Sequence, residues 1–177
     1  MKHEIFDPVV NVLDSNVTFE QIYKKAYIPV EYIDDIKKAN LLIIPNENFR
    51  DDGDVLFPET TREFFEFLKA EASDDIVADI AISDEDFQRI ELHSAVIEVA
   101  KIIVQWAVLP IATSMIATFL YNLVQKYHRK PEETSAKVQI ITEESATKKS
   151  KKIIYEGPVS GVKDALDQAT KDLFAKE

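Results

Sequence analysis

The 177-residue chain contains no cysteine, only three glycines and three histidines, and a single tryptophan. Without cysteine there can be no disulfide, thiolate nucleophile or zinc–thiolate site. With glycine only at Gly53, Gly157 and Gly161, neither a phosphate-cradling loop nor a dinucleotide fingerprint can be assembled. His3, His93 and His128 lack the three- or four-residue spacing of a helix-borne metal site. Asp51, Asp52 and Asp54 lack the glutamate that completes a calcium loop. No serine lies in a GxSxG elbow, so no catalytic residue, metal or cofactor is expected. The opening MKHEIFDPVVNVLD lacks the apolar stretch of a secretory signal. Residence on the cytoplasmic side is therefore expected, with the Asn16-Val17-Thr18 sequon unused.

Charge is abundant but divided. The net charge is −11, yet residues 1–100 carry 23 acids against 9 bases and residues 101–177 carry 9 acids against 12 bases. An acidic front half is repelled by nucleic acid and by anionic lipid headgroups, so direct duplex DNA binding is not expected.

Against this background, Ile102 to Gln125 runs 24 residues without a formal charge. As a helix it would rise roughly 36 Å, enough for the ~30 Å core of a bilayer. Lys126, His128, Arg129 and Lys130 follow it, and Trp106 and Tyr121 fall near its ends, as in a membrane span. A long central helix of a soluble domain has the same length, and Gln105, Thr113, Ser114, Thr118 and Asn122 suit that alternative. Pro110 would kink such a helix. The topology stays open, because one span cannot leave an acidic amino-terminal region and a basic carboxyl side both in the cytoplasm. The helix would span, re-enter, or insert only on activation.

The remaining sequence reads as short mixed elements. Ile5, Val9 and Leu13 recur at helical spacing, giving a short amphipathic segment that needs a docking site. Thr18 and Gln21 form a capping box, and Pro29 suits the first turn of a helix ending near Lys38. Residues 40–44 read as a buried strand, and Thr60 or Thr61 can cap a helix carrying Phe64, Phe65, Phe67 and Leu68. Alternation at Ile76, Ala78, Ile80 and Ile82, followed by Gln88, Ile90 and Leu92, predicts a hairpin leading into the long helix. The competing reading starts a continuous helix at Ser83. Lys137–Thr142 and Lys151–Glu156 predict a second hairpin, and Val162, Leu166, Ala169 and Leu173 line one face of a closing helix. The expected fold class is α+β: a small mixed α/β cytoplasmic domain with β-hairpins and one long proline-kinked apolar helix. Its segments would be 1–16, an amino-terminal amphipathic piece; 17–93, an acidic α/β domain; 94–130, the apolar helix with its basic exit; and 131–177, a hairpin plus closing helix.

The candidate functional residues are polar ones within the apolar run. Ser114, Thr118, Asn122 and Gln125 are spaced four, four and three residues apart, which places them on one helix face. In a membrane such a stripe would face other helices or water, packing copies together or lining a pore. Glu98, Lys101 and Gln105 would form a second stripe at its mouth. In a soluble protein both stripes would contact the chain's own domain. Ile5, Val9 and Leu13 would serve as a latch, or else complete the core.

The order of parts, from the acidic α/β region through IELHS and the apolar helix with its basic exit to KKIIYEGPVSGVKDAL, resembles small membrane effectors of bacterial anti-phage operons, of which the Hailong-type channel subunit is one. The resemblance covers architecture and offers no residue-by-residue motif. It implies a homo-oligomeric channel in the inner membrane, in contact with lipid, held shut until a nucleotide or nucleic-acid signal from a partner enzyme releases it. The alternative from the residues is a soluble α+β binding or adaptor module with the long helix buried in an oligomer.

Overall fold

The computed structural model describes residues 7–47, 55–71, 73–90 and 95–175. Its centre is a mixed seven-stranded sheet made by β1 (Val9–Ser15), β2 (Leu41–Ile43), β5 (Ala78–Ile80), β7 (Ile97–Glu98), β8 (Ile102–Gln105), β9 (Ser135–Glu143) and β10 (Ser150–Pro158). The strands run in the order β1-β10-β9-β8-β2-β5, and β7 extends the pairing of β9. A smaller sheet joins β3 (Asn46–Glu47), β4 (Val55–Pro58) and β6 (Arg89–Ile90). Among the described residues there are five α-helices: α1 (Phe19–Tyr23), α2 (Ile33–Lys38), α3 (Thr61–Glu71), α4 (Leu109–Lys126) and α5 (Val162–Ala175).

Side-chain alternation assigns the helices to the two faces of the large sheet. Leu41, Ile43, Ile102, Val104, Ile140, Ile153 and Tyr155 point into one core with α3, α4 and α5. Leu42, Ile103 and Ile141 point into a second with Phe19 and Ile22 of α1 and Ile36 of α2. Strands covered on both faces must be apolar at every position, which is why 41–44 and 102–104 read as unbroken apolar runs. Towards the other end only one face is covered. On β10, Ile153 and Tyr155 are buried, whereas Lys152, Ile154 and Glu156 are not.

Local chemistry sets the start of α1 and the crossing of β10 by the chain entering β1. The Thr18 hydroxyl accepts from the Gln21 N–H at 3.3 Å, and the buried Glu143 carboxylate accepts from the Phe19 N–H at 3.2 Å, so the first turn of α1 is capped twice. Gly157 sits where the chain entering β1 crosses β10. A Cβ there would lie 2.8 Å from the Pro8 Cα, so only glycine lets the two backbones approach.

Three sequence expectations are corrected. Residues 9–15 form a β-strand, not an amphipathic helix, because pairing along the whole of β10 supplies backbone partners that a lone short helix lacks. Ile5 lies outside the described residues. Over the described residues 76–90 the expected hairpin does not form, Leu92 lying outside them: β5 pairs in parallel with β2, and β6 pairs with β4. Ser83 and Asp86 close only a turn, with the Ser83 hydroxyl donating to the Asp86 carboxylate at 3.0 Å. The 24-residue apolar run divides into β8, a 3-10 turn at Trp106–Val108 and α4. Pro110 therefore stands in the first helical turn, where its missing N–H costs nothing, and not at a mid-helix kink. Each of the four expected segments contributes strands to the large sheet.

Candidate functional site

The polar residues singled out in the apolar run do face one way. Ser114, Thr118, Asn122 and Gln125 are all exposed, and Pro110 lies at the same outer surface. Leu109, Ala112, Met115, Ile116, Phe119, Leu120, Leu123 and Val124 on the opposite side are buried. The Thr118 hydroxyl donates back to the Ser114 carbonyl at 3.0 Å, so part of the stripe's polarity is satisfied within the helix. Gln105 is not on this helix. It ends β8, half-buried, opposite Glu143 of β9. Glu98 and Lys101 likewise belong to the strand region before α4, so the second helical stripe does not exist. The Lys101 ammonium is held below its ordinary pKa, chiefly by burial and then by the neighbouring Lys152 charge. Val9 and Leu13 are exposed on β1.

One helical stretch, Trp106–Lys126, is long and apolar enough to cross a membrane by length and composition, with mean hydropathy 1.7. Within its most apolar 18-residue window, 56% of the residues are buried within the protein.

A different constellation forms at the carboxyl end of α4. The helix closes with the Tyr127 N–H donating to Leu123, the His128 N–H to Gln125, and the Arg129 N–H reaching back to the Val124 carbonyl at 2.8 Å. His128 takes the left-handed conformation (φ 54°) that such a closure demands. The chain therefore folds back, and Tyr127 and Arg129 line a cleft of about 430 Å³. Glu59, Thr60 and Glu63 form a second wall from the start of α3; Glu98 of β7, Lys137 of β9 and Arg89 of β6 complete it.

Some of the charges in this cleft are spent on neighbouring groups. Glu63 pairs with Lys126 at 3.5 Å, Lys137 with Glu156 at 3.7 Å, and the Asn46 amide donates to the Glu98 carboxylate at 3.4 Å. The Thr60 hydroxyl donates to the Glu98 backbone carbonyl at 3.0 Å. The guanidinium groups of Arg89 and Arg129 make no ion pair among the described residues. A space of this size falls in the range of small-ligand sites. Two planar cations offer bidentate donors to phosphate or carboxylate, and the half-exposed Tyr127 ring offers a face for stacking.

Sequence reasoning missed this cleft. Its visible signal was the basic exit of the apolar run, where Lys126, His128, Arg129 and Lys130 read as membrane-flanking charge. Arg89 and Glu98 come close to Arg129 only through strand pairings that no local pattern reveals.

A second hollow, about 580 Å³, is lined by Glu31, Asp35, Asp79, Asp84, Glu85 and Asp86 with Lys69. Burial raises the Asp79 carboxyl above its usual range, against the pull of the Ile80 N–H that donates to it at 2.8 Å. Among the described residues, no group of three or more histidines or carboxylates is arranged to hold a metal ion. No protein-family model, curated protein or solved structure matches the chain.

Proposed function

We propose that this protein is a water-soluble α+β binding module whose cleft at the carboxyl end of α4 takes a small anionic ligand. A nucleotide satisfies the lining best in kind, with phosphates for Arg89 and Arg129 and a base for the Tyr127 ring. The observation that carries the soluble reading is the division of α4 into a buried apolar side and an exposed stripe at Ser114, Thr118, Asn122 and Gln125. A helix with one wet face and one packed face belongs at the surface of a core in water. Pulling it out would strip the sheet as well. Seven large apolar side chains, at roughly 1.5–3 kcal/mol each, place that cost on the order of 10–20 kcal/mol. Lipid would repay the helix's share but leave the sheet's share bare.

Thermal shift with a panel of nucleotides and inorganic phosphate tests the ligand class. A nucleotide should raise the melting temperature, and Arg129→Ala should abolish the rise without lowering the melting temperature of the ligand-free protein. No rise with any nucleotide, or an undiminished rise in Arg129→Ala, would remove the cleft from consideration.

A second reading rests on the apolar stretch Trp106–Lys126. In it the protein is an oligomeric inner-membrane effector, an ion channel of anti-phage defence, in which α4 leaves the core on activation and Ser114, Thr118, Asn122 and Gln125 line the pore. Carbonate extraction separates the two readings. Recovery of all the protein in the soluble fraction, with and without the triggering conditions, supports the module. Retention in the membrane pellet supports the channel.

A further inference from the structure

The first strand of the sheet is built unlike an edge. Strand β1 is seven residues long, pairs only with β10 among the described strands, and keeps a one-to-one register from Val9 to Ser15 with no bulge. It contains neither lysine nor proline. Edges left in water are normally blunted by such devices, because a regular row of free backbone groups templates further pairing. The opposite edge is short: β5 has only three residues. On β1, by contrast, Val9, Val12 and Leu13 are 54%, 40% and 49% exposed.

The sequence of β1 specifies what covers it. Val9-Val10-Asn11-Val12-Leu13 is symmetric in side-chain class about Asn11: two apolar residues, an amide, two apolar residues. We infer that β1 pairs antiparallel with β1 of a second copy of this chain, across a two-fold axis at Asn11, to make one continuous sheet through both protomers. In that register Val9 lies opposite the second copy's Leu13, Val10 opposite its Val12, and Asn11 opposite its Asn11. Every apolar residue of the stretch then meets another, which is what stabilises cross-strand pairs. The isologous arrangement uses the same patch twice, as two-fold dimers do.

The charges behind the strand agree with this register. Within one chain, Leu13 is opposite Lys152 of β10, and Val9 is opposite Glu156. The two-fold axis therefore gives a row reading Lys152, Leu13, then the second copy's Val9 and Glu156, with unlike charges at its ends and apolar residues between. A parallel pairing in register would set each Asp14 beside the other and Lys152 on the same row as Lys152. Asp14 is already held by Lys151 of its own chain, and in the antiparallel register it faces the second copy's Pro8, away from the other carboxylate. The polar stripe on α4 takes no part.

Because the chain has no cysteine, a single introduced thiol reports the register directly. Antiparallel partners at the axis have Cα atoms 4.5–5.5 Å apart, within the span of a disulfide. Asn11→Cys should form a disulfide-linked dimer under mild oxidation, roughly tenfold faster than Asp14→Cys, whose two copies would sit about 20 Å apart along the strands at ~3.4 Å per residue. Light scattering should give the wild-type mass as a dimer at micromolar concentration. The double variant Val9→Lys, Leu13→Lys should be a monomer with an unchanged far-ultraviolet spectrum, since both side chains are already exposed. A monomeric wild type, or equal cross-linking rates for Asn11→Cys and Asp14→Cys, would overturn the inference, including the case in which β1 instead receives a strand from a different protein.

Discussion

Replacing Leu120 with alanine puts the position of α4 to a quantitative test. Leu120 is fully buried among α3, α4, α5 and the sheet, so truncation loses its burial and leaves a cavity, a combination that costs about 2–5 kcal/mol. For a chain of this size 1 kcal/mol shifts the melting temperature by about 2–4 °C. A mid-range cost of about 3 kcal/mol therefore predicts a fall of roughly 6–12 °C. Asn122, two residues on, is exposed, and Asn122→Ala should change stability by no more than about 0.5 kcal/mol. The assay is thermal and urea unfolding followed by circular dichroism in buffer without detergent. The informative quantity is the contrast between the two variants. A fall below about 2 °C for Leu120→Ala, or an equal loss for Asn122→Ala, would mean that the apolar side of α4 is not packed in the water-soluble state.

Three further outcomes follow from particular side chains. The Thr142 hydroxyl is buried with no hydrogen-bond partner among the described residues, so Thr142→Val should hold or raise the urea midpoint, by up to about 1 kcal/mol in stability. Burial pushes the Tyr155 phenol up to about 12 from an ordinary value of 10.0. The stability it lends is present below pH 10 and is lost as pH rises through about 12. Tyr155→Phe should flatten that alkaline loss while costing about 1–3 kcal/mol at neutral pH, because the Pro158 carbonyl loses its donor. His128→Gly should raise the melting temperature, since glycine adopts the left-handed conformation at the end of α4 about 1 kcal/mol more easily than histidine.

Where sequence chemistry was local, it was legible. The closing helix lies where its pattern placed it, with Val162, Leu166, Ala169 and Leu173 all buried. The second hairpin extends from Lys137–Thr142 and Lys151–Glu156 only to Ser135–Glu143 and Ser150–Pro158. The α+β class and the strand near residues 41–44 also appear as read. Failures arose where a distant partner decides the outcome. An apolar stretch such as Ile102-Ile103-Val104 suits a buried strand or a buried helix equally by periodicity, and its neighbours β2 and β9 choose the strand. Val9 and Leu13 fit a helix only while the β-branched residues between them are ignored. The cleft was invisible for the same reason, since Arg89, Glu98 and Arg129 sit on elements separated in sequence.

The closure of the sheet by its own first strand has a consequence for synthesis. Ser15 on β1 and Ser150 on β10 are hydrogen-bonded although 135 positions apart. A ribosome delivers Ser15 some 135 positions ahead of Ser150, so the strand must wait, unpaired, while the residues between them are made at about 5–20 per second. During that interval α4 also emerges before β9 and β10, the strands whose side chains complete its bed. The nascent chain thus displays its most apolar segment and its most template-like strand together for several seconds. Bare apolar chain is exposed in that window, until the carboxyl-terminal hairpin closes it.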